Sequence, residues 1–192
     1  MKVNKEQSIA NREALLEAAG KLFRLHGIDG VGVAQLCDAA GLTHGALYSH
    51  FGSKEALAAE AFLHGHHASH GRISKAAGTA PDLNSIVDFY VSARHRDNMA
   101  ECCPILSSGS EAARQDEAFK KNYAQAFHEL SKTIQSALEA PDTKTAESMS
   151  LVLAASMIGI VSVARSLKDV EPKVSDTLLS QSRRLLKQIA ST

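Results

Sequence analysis

Apolar residues recur every three to four positions along nearly the whole chain, while alternation at two is rare and Gly and Pro are sparse. That spacing gathers each segment's apolar side chains on one side of a 3.6-residue helix, so it predicts an all-α fold. The first helix runs from about Ser8 to His26, with Leu15, Leu16, Ala19, Leu22 and Phe23 as its stripe and Gly27-Ile28-Asp29-Gly30 as its stop. Two short helices follow at residues 33–40 and 44–50. A long one opens at Lys54 behind the capping residue Ser53 and continues to about Ala77. Gly78-Thr79-Ala80-Pro81-Asp82 is the clearest break, and Pro81 suits the first position of a helix reaching about Asp97. Glu101-Cys102-Cys103-Pro104 opens a short helix to about Arg114. The next, Glu117 to Ala140, carries Phe119, Tyr123, Phe127, Leu130, Ile134 and Leu138, and the last two span about Lys144 to Lys168 and Val174 to Ala190. About nine helices result.

The segment 32–51 has a pattern of its own. Val33, Leu36, Cys37 and Ala40 share one face while Gln35 and Asp38 stay wet; Gly41 stops that helix, Leu42 fills the angle behind it, and Thr43 caps the next. Ala46, Leu47 and Phe51 can then face inward. Thr43, His44, Gly45, Tyr48, Ser49 and His50 are left for a partner, with Lys54 just beyond. A helix with a free polar first turn, joined to another by a tight glycine turn, is how a helix-turn-helix reads, and double-stranded DNA is its partner. Gly45 lets the helix approach closely, His44 can bond a base edge, and Tyr48, His50 and Lys54 suit phosphate oxygens.

The wording of residues 42–57, Leu-Thr-His-Gly-Ala-Leu-Tyr-Ser-His-Phe-Gly-Ser-Lys-Glu-Ala-Leu, resembles the N-terminal domain of TetR-family transcriptional repressors. The resemblance extends upstream through Glu13–Ala19 and Leu22–Gly27 and covers roughly residues 9–62. One departure is Gly32, which stands where the family usually caps its second helix with Ser or Thr. The resemblance implies an N-terminal three-helix DNA-binding domain (1–52) and a larger helical ligand-binding and dimerisation domain (53–192). It also implies a cytoplasmic homodimer on an operator, released by an unidentified small-molecule inducer, with backbone contacts at the Tyr48, His50 and Lys54 positions. The expected dimer seam is the last two helices. Leu151, Ala154, Ala155, Ile158, Gly159 and Ser162 would allow close approach, and Leu178, Leu179, Leu185, Leu186 and Ile189 would supply bulk.

Charge adds little to this picture. Lys and Arg number 21 and Asp and Glu 21, so the strong positive balance of many nucleic-acid binders is missing. Residues 1–54 hold six basic side chains against five acidic ones. Docking must then rest on helix termini and shape more than on net charge. The run Leu151–Ala164, broken by Ser156, Gly159 and Ser162, is read as too short and interrupted to span a bilayer. Three cysteines without CxxC spacing suggest neither a zinc knuckle nor a disulfide framework.

Other candidate chemistry is sparser. Phe62, Phe89, Met99, Tyr123 and Phe127 are candidates to line a ligand pocket, with Arg94, His95 or His128 as polar anchors, although an aromatic stripe at helical spacing also reads as plain core. Cys102 and Cys103 precede Pro104, and the stretch from Cys102 to Phe119 is similar to a branch of the family that opens its sixth helix with Cys-Pro. A thiol at a helix N-terminus has its pKa lowered, so an alternative function is thiol-based sensing of electrophiles or oxidants; the competing reading is a small buried hydrophobe. His64, His66, His67 and His70 crowd one helix, where a solvated face is the default and a metal site the alternative. No nucleophile elbow, phosphate loop or HExxH occurs, and neither an enzyme nor a cofactor is expected.

Overall fold

Each segment with three-to-four spacing forms a helix in the computed structural model, which describes residues 5–77 and 82–189. The helices are α1 (Lys5–His26), α2 (Val33–Ala40), α3 (His44–Phe51), α4 (Lys54–Ala77), α5 (Leu83–Tyr90) and α6 (Ala93–Asp97). A 3-10 turn at Met99–Glu101 precedes α7 (Pro104–Ala112), α8 (Glu117–Gln135), α9 (Thr143–Leu167) and α10 (Pro172–Ile189). No strand occurs among the described residues. Polar side chains set most starts: Asp116 accepts from the Phe119 amide at 2.8 Å, Asp142 from that of Thr145 at 2.9 Å, and Ser53 from that of Ala56 at 3.0 Å.

Among the described residues ten α-helices stand where about nine were expected, because the segment ending near Asp97 is two helices. The Ser92 hydroxyl accepts from the His95 amide at 3.1 Å and so starts α6 afresh. Arg165 of α9 then caps the carbonyls of His95 (3.0 Å) and Arg96 (2.9 Å), which stabilises so short a helix. The expected start at Pro81 lies outside the described residues, as does the expected end at Ala190. Helix α8 stops at Gln135, short of Ala140, where the Ala137 and Leu138 amides donate three residues back to Ile134 and Gln135 in a tightened last turn.

Two cores result. Leu15, Leu16, Ala19, Val31, Leu36, Cys37, Leu47, Phe51, Leu57 and Ala61 form the first, so the start of α4 completes the bundle of α1–α3 and the expected division at 52/53 falls at a helix shared by both cores. The opposite side of α4, through Ala58, Ala59, Phe62 and Ile73, enters the second core with Ile86, Tyr90, Ile105, Phe119, Leu130 and Met157. Phe23 packs against both. A helix with an apolar stripe on two sides cannot move without disturbing both bundles.

Helix α9 is longer than the apolar run read from sequence, because Asp142 caps it at Thr143. At 25 residues it is long and apolar enough, on length and composition, to cross a membrane, which corrects the expectation drawn from Leu151–Ala164. Its inner side, with Leu153, Ala154, Met157, Val161 and Ala164, belongs to the second core. Ala154, Leu179 and Leu186, expected in an intermolecular seam, are therefore interior. The outward side of α9 carries Val152 (65% exposed), Ala155, Gly159, Ser162 and Val163, and α10 adds Leu185 and Ile189.

Candidate nucleic-acid interface

The α2–α3 corner is built by local chemistry. Gly41 has φ 67°, which only glycine adopts without strain, and its amide donates to Asp38 O at 3.1 Å while that of Leu42 donates to Cys37 O at 2.9 Å. These bonds satisfy the last carbonyls of α2 and turn the chain into Thr43. At the start of α2, where no side chain of Gly32 can cap, Gln35 Oε1 accepts from the Gly32 amide at 2.8 Å. The Thr43 hydroxyl accepts from the Ala46 amide at 3.3 Å and fixes the first turn of α3.

Burial sorts the faces of α3. Leu47 is fully buried and Phe51 nearly so, while Ala46 is half-buried, so the helix is anchored by the residues expected to face inward. Thr43, His44, Gly45, Tyr48 and Ser49 are exposed; His50 and Lys54 are half-buried at the edge of the same surface. Tyr48 keeps 52% of its surface in solvent, which leaves its ring and hydroxyl available to a partner. A Cβ added to Gly45 would meet only Thr43 Oγ1, at 3.8 Å, so nothing in the chain's own packing asks for glycine there. One anchoring residue gave no signal in the sequence: Arg12 on α1 lies over the Phe51 ring, 4.9 Å from its centroid, and pairs with Glu60 on α4, clamping α3 between its neighbours.

The sequence profile of "Bacterial regulatory proteins, tetR family" matches residues 15–61, and that of "Transcriptional regulator LmrA/YxaF-like, C-terminal domain" matches residues 80–172. The chain belongs to the TetR family. The probable HTH-type transcriptional regulator ArpR of Pseudomonas putida is 30% identical over 82 residues, 43% of this chain and 39% of that protein. The HTH-type transcriptional regulator LmrA of Bacillus subtilis (strain 168) is 48% identical over 52 residues, 27% of this chain and 28% of that protein. The chain thus matches these curated relatives over well under half of their length. A TetR transcriptional regulator from Chloroflexus aurantiacus superposes with a TM-score of 0.80 at 21% identity, over 97% of each chain, which establishes the likeness in fold.

In this TetR-family chain the candidate pocket residues do not converge. A cavity of about 380 Å³ opens between α4, α5, α6 and the 3-10 turn, lined by Phe89, Arg94 and His95 among the candidates and by Ser69, Arg72, Glu101 and Cys102 besides. Phe62 is core instead, with its ring centroid 4.9 Å from that of Phe119 and 5.7 Å from that of Tyr123. Tyr123 and Phe127 pack against the second core, and neither they, Met99 nor His128 line the cavity. Ser69 and Arg72 gave no sequence signal, since only the packing of α4 on α5 brings them to this wall.

His95 ties the cavity wall together. Its Nδ1–H donates to Tyr90 O at 2.8 Å, its Nε2 accepts from the Cys103 amide at 3.0 Å, and burial brings its pKa down to about 4. Cys103 is the residue before α7, as expected, but its thiol is buried and its pKa is raised by desolvation. That corrects the expected lowering at a helix N-terminus: loss of water outweighs the favourable amides. The buried Tyr90 hydroxyl sits beside that thiol without the geometry of a hydrogen bond.

Of the histidine cluster, His67 is solvent-exposed as expected of a solvated face, but the other three are not simply solvated. His64 Nε2 meets Glu13 of α1 at 2.7 Å, the buried His66 donates from Nε2 to Glu129 of α8 at 2.9 Å, and His70 donates to Thr133 at 2.7 Å. Three imidazoles are thus committed to three different partners, and no metal-holding group of three ligands occurs among the described residues. The carboxylates come from other helices, which is why sequence spacing did not reveal them.

Proposed function

We propose that the chain is a homodimeric, cytoplasmic DNA-binding repressor that sits on a palindromic operator and is released by a small-molecule inducer. One observation carries the reading: the first turn and outward face of α3 present Thr43, His44, Gly45, Tyr48 and Ser49 to solvent, around a glycine the fold itself does not need. The relatives' names as transcriptional regulators support it. In this reading His44 and the Thr43 turn meet base edges, Gly45 allows the backbone close to the groove floor, and Tyr48, Ser49, His50 and Lys54 hold phosphates on either side. The outward side of α9 and the Leu185–Ile189 end of α10 form the seam with the second copy.

Release needs a path from the cavity to α3, and two contacts offer it. Arg24 of α1 donates from Nε to Ala100 O at 2.7 Å in the 3-10 turn that walls the cavity, and Glu111 of α7 accepts from the Ile28 amide at 3.4 Å, just past the end of α1. An inducer acts only by preferring the arrangement in which these contacts, and with them the spacing of the two α3 helices, differ from the DNA-bound one.

The test is fluorescence anisotropy on an operator fragment recovered from genomic DNA. Tyr48→Ala and Lys54→Ala weaken binding by about tenfold each, and Lys54→Ala also lowers the salt slope by about one. Gly45→Ala weakens binding while leaving the thermal midpoint unchanged or raised, because the new methyl has room. Unchanged affinity in all three variants contradicts these roles. A second reading, thiol-based sensing within the same regulator, is favoured by the position of Cys102 on the cavity wall.

A further inference from the structure

The cavity between α4, α5, α6 and the 3-10 turn carries a specific chemistry. Ser69 is only 4% exposed, lines the cavity, and makes no side-chain hydrogen bond among the described residues. Its hydroxyl is therefore available to a molecule that enters the cavity. Arg94 lines the same space and makes neither a side-chain hydrogen bond nor an ion pair among the described residues. Arg72 spends one donor, from Nη2 to Glu101 O at 2.7 Å.

The Asp88 carboxylate is held by Lys187 at 2.6 Å. The four charged side chains of the lining sum to zero, but with Asp88 engaged by Lys187 from outside the cavity, Arg94 and Arg72 face Glu101 as the one remaining carboxylate of the lining. The rest of the lining is apolar or neutral: Phe89 and Cys102 form one part, and His95 presents an uncharged ring because both its nitrogens are spent.

We infer that this cavity binds a flat aromatic molecule bearing one anionic group, of which an aromatic carboxylate is the simplest case, with its ring against Phe89 and its charge on Arg94 and Arg72. A planar fork donating to a carboxylate is a strong, orientation-specific contact, and a volume of about 380 Å³ lies within the range of small-molecule sites. The inference rests on the regulator reading for its consequence, because a carboxylate that draws Arg72 off the Glu101 carbonyl acts on the turn that Arg24 grips.

The experiment uses the full chain and three probes of one shape: 2-naphthoate, the neutral 2-naphthamide and the cationic 2-naphthylmethylammonium, each titrated by calorimetry. The naphthoate binds at least tenfold tighter than the amide, Arg94→Gln removes that advantage while leaving the amide unchanged, and Phe89→Ala weakens both. Arg94 is exposed, so this variant keeps the fold. Equal affinity for naphthoate and amide, tighter binding of the ammonium, or no effect of Arg94→Gln overturns the inference. The same probes added to the protein on its DNA fragment separate the two readings. Naphthoate bound in the calorimeter while DNA is retained supports the anion site and contradicts release through it; DNA binding with no naphthoate affinity overturns the anion site and leaves the regulator reading standing.

Discussion

His95 shows how one side chain can set the acid limit of the fold. It is neutral because both ring nitrogens serve neutral roles, one donating to Tyr90 O and the other accepting from the Cys103 amide, in surroundings that bring its pKa to about 4. The unfolded chain takes up the same proton near pH 6.5, before the folded chain does. Stability is therefore intact above about 6.5 and falls as pH drops toward 4, by roughly 3 kcal/mol at most from this residue. His66, whose pKa burial also lowers, adds in the same direction. Urea midpoints measured between pH 7 and pH 4 should fall in this window, and His95→Gln should flatten the slope; an identical slope in the variant contradicts the assignment.

Among the helices, local signals were readable and long-range ones were not. The Gly41 turn, the Thr43 and Ser53 caps and the inward Leu47 and Phe51 all follow from neighbours within four residues, so their sequence reading holds in the structure. The split between α5 and α6 starts at a local cap, Ser92, that the sequence reading passed over, but the Arg165 contacts that hold so short a helix come from some seventy positions away. The His66–Glu129 and Arg12–Phe51 contacts are hidden for the same reason. Helical spacing also assigned the leucines of α10 to a seam without telling which of them face in, and Leu179 and Leu186 proved to be interior.

The proposed seam on α9 has its own test. A Cβ at Gly159 meets nothing within 4 Å in the single chain, so Gly159→Arg should leave the helical content and the fold intact. It should nevertheless convert a species of twice 20.5 kDa into one of 20.5 kDa by light scattering, because a long charged side chain blocks close helix approach. A variant that remains dimeric, or a wild-type chain that is monomeric, contradicts the seam.

For the whole molecule, the fold joins the small helix-turn-helix bundle to a larger helical body through one shared helix, α4, and through the Arg24 and Glu111 contacts. That arrangement explains how a chain without net charge can serve as a DNA-binding regulator. In the proposed reading, affinity comes from two α3 helices placed together and is lost when their spacing changes. Two-fold symmetry demands half-sites about 34–36 Å apart, one helical turn of DNA, or a multiple of it. The most direct test is selection of genomic fragments by the purified protein, followed by footprinting of those enriched. The account predicts a small set of fragments sharing an inverted repeat with that spacing, lost in Tyr48→Ala. Enrichment no better than for random competitor DNA, or protected sites without two-fold symmetry, would contradict it.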